Sequence, residues 1–120
     1  MTARRSDSRA VLEGSRINGV AIGADLSGRT ALVVGASGGL GAHFARILAA
    51  HGAAVAVAAR RLAPLHQLAE EIASSGGRAY PVAMDVTDSG SVRQAFDQVE
   101  SILGTVEILV VSSGVAGPGA

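Results

Sequence analysis

Gly35, Gly39 and Gly41 stand at i, i+4 and i+6 in the stretch Val34-Gly35-Ala36-Ser37-Gly38-Gly39-Leu40-Gly41, directly after a short apolar run. Residues of this type at this spacing can hold a phosphate. Glycines admit positive φ in the turn and let an anion approach the backbone closely. Free N–H groups and the dipole at the start of a following helix then favour its negative charge. A purely structural turn needs fewer glycines than this. The same residues also spell G-x-S-x-G at Gly35-Ala36-Ser37-Gly38-Gly39, the pattern of a hydrolase nucleophile elbow. That fold requires Ser, then an acid, then His, and here His43, His51 and His66 all precede Glu70, the first acid after Ser37. Ser37 is therefore expected to contact a phosphate or a ribose and not to act as a nucleophile.

A second candidate lies about 20 residues on, where dinucleotide sites carry either an acid for the ribose hydroxyls or an Arg for a 2′-phosphate. This chain has Ala58-Ala59-Arg60-Arg61, with no carboxylate to repel a phosphate and two guanidiniums to pair with one. Arg at a helix start opposes the dipole, so a functional reason is expected. NADP(H) is preferred on this ground, with NAD(H) as the alternative. Further along, Met84-Asp85-Val86-Thr87-Asp88 places Asp85 to accept from an adenine amino group and Asp88 to cap a helix. His43, His51 and His66 have no partners at metal-ligand spacing, and no metal site is expected.

These residues need elements to position them. Thr30–Val34 and Ala54–Ala58 are continuous apolar runs, suited to strands buried on both faces. Leu40, Phe44, Ile47, Leu48 and His51 follow a helical period that Gly52 ends. A second helix runs from about Leu62, with Pro64 tolerated in its first turn. Residues 78–84 form a third strand, which Pro81 confines to an edge. Val92, Ala95, Phe96, Val99, Ile102 and Leu103 mark a third helix closed by Gly104, and Glu107–Val111 a fourth strand. The order β-α-β-α-β-α-β predicts a parallel sheet with right-handed crossovers. Residues 1–25 show no sustained period and are expected to be a flexible or loosely docked extension, leaving 26–120 as the organised domain.

Composition bounds the function further. Of 120 residues 48% are hydrophobic and 17% charged, and the formal net charge is zero, so no basic patch points to nucleic acid. Phe44, Tyr80 and Phe96 are the only aromatics, too few for a base-stacking platform. With no Cys and all ten basic residues Arg, thiolate chemistry, a P-loop lysine and Schiff-base chemistry are excluded. No apolar run reaches the roughly 20 residues of a membrane span, and a cytoplasmic protein is expected.

Taken in order and spacing, Gly35-x3-Gly39-x-Gly41, Ala59-Arg60 and Asp85-Val86-Thr87-Asp88 resemble the short-chain dehydrogenase/reductase family, most of all its 3-oxoacyl-carrier-protein-reductase-like members. The resemblance covers about Ser27 to Gly117. It implies a Rossmann-type doubly wound α/β sheet of strand order 3-2-1-4, ending after the fourth strand. Gly35, Ser37, Gly38, Gly39, Leu40 and Gly41 would line the pyrophosphate, Arg60 and Arg61 the 2′-phosphate, and Asp85 with Val86 the adenine. Val111 and Gly114 carry over to the ribose side. The chain departs from the family pattern at Val34, where a Thr is usual, and at Val111-Ser112-Ser113-Gly114, where Asn-Asn-Ala-Gly is usual.

The family transfers hydride between the nicotinamide and a carbonyl or secondary alcohol, using a Tyr-x-x-x-Lys pair in which the Tyr donates the proton. This chain has one Tyr, Tyr80 before Pro81, and no Lys. The expectation is thus an NADP-binding part of a reductase that holds no catalytic residue and is inactive alone, its longer parent a homo-oligomer. A non-catalytic nucleotide-binding module is the alternative from another class, and a methyltransferase-type Rossmann domain a third.

Overall fold

Alternating apolar strands and amphipathic helices settle into a single five-stranded parallel sheet in the computed structural model, which describes residues 10–13 and 25–112. The elements are β1 (Ala10–Glu13), β2 (Thr30–Val34), α1 (Gly39–Ala50), β3 (Ala54–Ala59), α2 (Leu62–Ser74), β4 (Arg78–Ala83), α3 (Ser89–Leu103) and β5 (Ile108–Val111). Their order across the sheet is β1-β5-β2-β3-β4, and every pairing is parallel. The four strands expected from hydrophobic pattern thus take the expected 3-2-1-4 order.

Side chains of a strand alternate between faces, and this divides the core in two. Ala31, Val33, Val55 and Val57 pack with Phe44, Leu48, Leu65 and Ile72 of α1 and α2. Leu32, Val34, Ala56, Ala58 and Val82 pack on the other face with Ala95 and Val99 of α3. β2 is buried along its whole length, which explains why its sequence reads as an unbroken apolar run and not as an alternation. Val34, where the resemblance leads one to expect Thr, is buried in the α3-side layer, so an apolar side chain suits it.

Among the described residues β4 pairs only with β3, which puts Pro81 on a sheet edge, the place where a strand tolerates Pro. Asp88 caps α3: its Oδ1 accepts from the N–H groups of Gly90 at 2.9 Å and Ser91 at 3.3 Å. Asp88→Ala is expected to destabilise the chain by about 1 kcal/mol, the usual worth of such a cap, read as a shift in urea midpoint at unchanged slope. An unchanged midpoint would show that the cap contributes nothing.

Within the N-terminal stretch, which the sequence leaves as flexible or loosely docked, Ala10–Glu13 pairs with β5 in the register Ala10↔Ile108 to Glu13↔Val111. Four residues without a readable period can join a ladder because the pairing uses backbone groups alone. The remainder of the extension, residues 1–9 and 14–24, lies outside the described residues, as do residues 113–120.

Candidate dinucleotide site

Because all strands run parallel, the segments following β2, β3, β4 and β5 emerge along one rim of the sheet. There the structure collects the glycine turn 35–41, Arg60 and Arg61, Asp85 and Val86, and Val111. Gly114 lies outside the described residues. From β2 the chain moves one way through α1 to β3, whereas α3 returns it to β5 on the opposite side. The carboxyl ends of β2 and β5 therefore flank a topological switch point, where open α/β sheets bind ligands.

The glycine turn is held at its base and open at its tip. The N–H groups of Gly35 and Ala36 both donate to Ala58 O, at 2.8 and 3.1 Å, tying the turn to the end of β3. Ala36 is buried, whereas Ser37, Gly38, Gly39 and Leu40 are exposed. Gly35 and Gly39 have φ of 89° and 58°, a region that L side chains avoid. Gly41 is needed for a different reason. A Cβ there would stand 2.1 Å from Gly35 O and 2.6 Å from Ser112 Oγ, so α1 can approach β2 this closely only with a glycine at the contact. Gly38 shows neither constraint: its φ is 178°, and a Cβ would meet no protein atom within 4 Å. Neither packing nor backbone conformation demands a glycine at Gly38.

The three helix starts differ in how their free N–H groups are met. α3 is capped by Asp88, as described. α1 has no side-chain cap and no acidic residue in its first turn, so its dipole and its first N–H groups are available to an anion. α2 is also without a side-chain cap, and Arg61 is its N-cap residue. Arg60 and Arg61 are exposed and form no salt bridge among the described residues. Two cations beside the positive end of a helix are unfavourable unless an anion joins them.

Asp85 is held more firmly than the sequence suggested. Its Oδ1 accepts from the Thr87 hydroxyl at 2.7 Å and from the Thr87 N–H at 3.0 Å, while its own N–H donates to Ser91 Oγ at 2.9 Å. Oδ2 has no hydrogen-bond partner among the described residues. The Thr87 hydroxyl, then the Thr87 N–H, hold this carboxyl below its ordinary value, and the charge of Arg60 adds to them against desolvation. The folded pKa lies below the unfolded one, so the stability this turn gains is fully present above the ordinary carboxylate range. It is lost as pH falls through the folded value. Thr87→Val should therefore bring the Asp85 titration, followed by carboxyl NMR, back toward that of a free Asp. An unmoved titration would remove Thr87 as the main cause.

Two contacts escaped the sequence-based reading. Ser112 donates its N–H to Val34 O at 3.0 Å and its hydroxyl toward Gly35 O at 3.3 Å, clasping the turn from β5. Ser91 fixes the backbone at Asp85 from the first turn of α3. A lone Ser carries no pattern; at Ser112 the signal available was its place within the Val-Ser-Ser-Gly run after β5.

Other candidates fall away. Tyr80 packs against the α3-side layer, and its hydroxyl accepts from Gln98 Nε2 at 2.9 Å, away from the rim. Among the described residues Ser37 has no hydrogen bond to a histidine. His51 pairs its Nδ1 with Ile47 O at 2.9 Å, and no group of three or more potential metal ligands occurs among the described residues. A cavity of about 410 Å³ lined by Arg46, Gly52, Glu71 and Gly77 lies at the carboxyl ends of α1 and α2. The helix dipoles there present negative ends, unsuited to a phosphate.

With this geometry in view, comparison with known proteins is decisive. Residues 29–120 match the family model of the short chain dehydrogenases. The chain belongs to the short-chain dehydrogenase family. A short chain dehydrogenase of Pseudocercospora fijiensis is 42% identical over 91 residues, covering 76% of this chain and 29% of that protein. A short-chain type dehydrogenase/reductase from Mycobacterium marinum superposes with a TM-score of 0.69 at 47% identity, covering 71% of this chain and 34% of that one. A metagenomic short-chain oxidoreductase crystallised in complex with NADP gives a TM-score of 0.68 at 36% identity, over 72% of this chain and 39% of that one. This short-chain dehydrogenase sequence thus spans about a third of the length of the relatives it matches. Among its described residues no helix is long and apolar enough to cross a membrane.

Proposed function

We propose that this chain is the cofactor-binding part of an NADP(H)-preferring short-chain oxidoreductase, whose full reaction is hydride transfer between the nicotinamide and a carbonyl or secondary alcohol. One observation carries the reading: β3 delivers Arg60 and Arg61, and no carboxylate, to the same rim as the uncapped N-terminus of α1. A pyrophosphate fits against the turn Gly35, Ser37, Gly38, Gly39, Leu40 and Gly41. The 2′-phosphate pairs with Arg60, with Arg61 beside it, and the adenine edge meets Asp85 and Val86. Val111 and Gly114 flank the ribose next to the nicotinamide. When bound, the cofactor supplies the hydride; this chain's own residues bind and orient it.

Proton transfer to a carbonyl needs a donor at the rim. Tyr80, the chain's one Tyr, is held by Gln98 in the α3 layer, and there is no Lys to assist a phenol. The chain by itself is therefore a binder and not a catalyst.

Titration calorimetry of the chain with NADPH, NADH and S-adenosylmethionine, alongside a ketone-reduction assay, tests both halves of the proposal. NADPH should bind best, S-adenosylmethionine should not bind, and ketone reduction should stay at background. Tighter binding of S-adenosylmethionine than of NADPH would overturn the cofactor assignment. Ketone turnover above background would overturn the assignment of the chain as a binder only.

A further inference from the structure

The connection from β4 to α3 is tied by a hydroxyl in an uncommon role. Ser91 is the third residue of α3, a place from which a side chain ordinarily reaches back to the N–H of the capping residue. Here that N–H, on Asp88, already donates to Asp85 O at 3.0 Å. The Ser91 hydroxyl reaches further back and accepts from the Asp85 N–H at 2.9 Å, while the Ser91 N–H donates to Asp88 Oδ1 at 3.3 Å. Thr87 donates twice to Asp85 Oδ1. Two groups on consecutive residues are left over. Asp85 Oδ2 has no hydrogen-bond partner among the described residues, and neither has the N–H of Val86, a residue 50% exposed at the rim.

An acceptor next to a donor makes a readable edge. It complements a purine that carries an amino group beside a bare ring nitrogen, as adenine does. A 6-oxo purine presents the reverse order, a carbonyl oxygen toward the carboxylate and a ring N–H toward the Val86 N–H. Like then meets like, and both protein groups stay unpaired. Such discrimination holds only while the two groups keep their relative position. The bond from the Asp85 N–H to Ser91 ties the backbone that carries them to the first turn of α3, a helix packed on the sheet through Ala95 and Val99. We propose that Ser91 is a positioning residue for base recognition: by fixing the backbone at Asp85 it holds Asp85 Oδ2 and the Val86 N–H in the arrangement that accepts an amino purine and rejects a 6-oxo purine. The inference rests on the adenine placement proposed above. Ser91 acts through Asp85 and Val86 and not by touching the base.

Titration calorimetry of the full chain with NADPH and with its hypoxanthine analogue, which differs only in the 6-oxo purine, tests this role. The wild-type chain should bind NADPH about tenfold tighter, the worth of a good hydrogen bond made against one left unmade. Ser91→Ala should cut that preference to about twofold, chiefly by weakening NADPH, while the analogue keeps its affinity and reports an intact fold. Ser91→Thr, which retains the hydroxyl, should restore the preference. A preference that survives in Ser91→Ala, with or without an equal loss for both dinucleotides, overturns the role of Ser91 and leaves the adenine placement standing. A wild-type chain with equal affinity for both overturns the adenine placement and the inference with it. Amide exchange in the cofactor-free wild type needs no variant: the Asp85 N–H should exchange about ten times slower than the Val86 N–H. Equal rates would overturn the inference, because Ser91 would then hold nothing in place.

Discussion

Gly41→Ala is expected to lower the melting temperature by roughly 15 °C, the consequence of about 3 kcal/mol of overpacking in a domain of this size. The added Cβ would stand 2.1 Å from Gly35 O and 2.8 Å from Gly35 C, and both are backbone atoms. No rotamer change relieves such a clash. α1 must move away from β2 or the turn must rebuild, and either movement disturbs the Ser112 clasp on the same carbonyl. Since folded domains keep only 5–15 kcal/mol in total, this one methyl consumes a large share. NADPH affinity should fall with it, because the first turn of α1 no longer faces the rim. Gly38→Ala is the control that separates folding from binding. Its backbone is extended and its Cβ meets nothing, so the melting temperature should stay within about 3 °C while NADPH affinity falls. A stable Gly41→Ala chain, or a Gly38→Ala chain with full affinity, would disprove the respective roles.

Arg60→Ala should weaken NADPH binding about tenfold and leave NADH within about twofold. A charge-assisted bond to a 2′-phosphate is worth 1.5–3 kcal/mol in sheltered surroundings. Arg60 is exposed, so the lower end applies, and about 1.4 kcal/mol is a factor of ten. The Thr87 hydrogen bonds chiefly hold the Asp85 carboxyl low, and the Arg60 charge adds to them. The cofactor-free chain should melt no lower than wild type, because a cation beside the N-terminus of α2 opposes the dipole. Calorimetry with both cofactors decides the matter: equal losses for NADPH and NADH would refute the 2′-phosphate role.

Much of the candidate site is legible in the sequence because its signals are local. The turn 35–41 is contiguous, and its three spaced glycines each answer to a backbone or close-approach requirement. Arg60 and Arg61 follow directly on a strand whose apolar run is unmistakable, and the Asp88 cap is defined within three residues. Tyr80 can be set aside for lack of a Lys, and its contact with Gln98 adds a location to that argument. Asp85 is only half legible, since a carboxylate offered to a ligand and one closing its own turn look alike in sequence.

The amino-acid sequence by itself determined the order of the elements from β2 to β5, the two-faced burial of β2 and β3, and the identity of the groups at the strand ends. Periodicity and turn chemistry act over a few residues, and they survive in any context that buries the apolar side chains. Only the tertiary structure decided that the Ser112 N–H meets the Val34 carbonyl and that Ala10–Glu13 lies against β5. Those contacts join backbone groups across large separations in the chain. Backbone N–H and C=O groups are the same in every residue, so nothing in side-chain pattern announces which of them will meet.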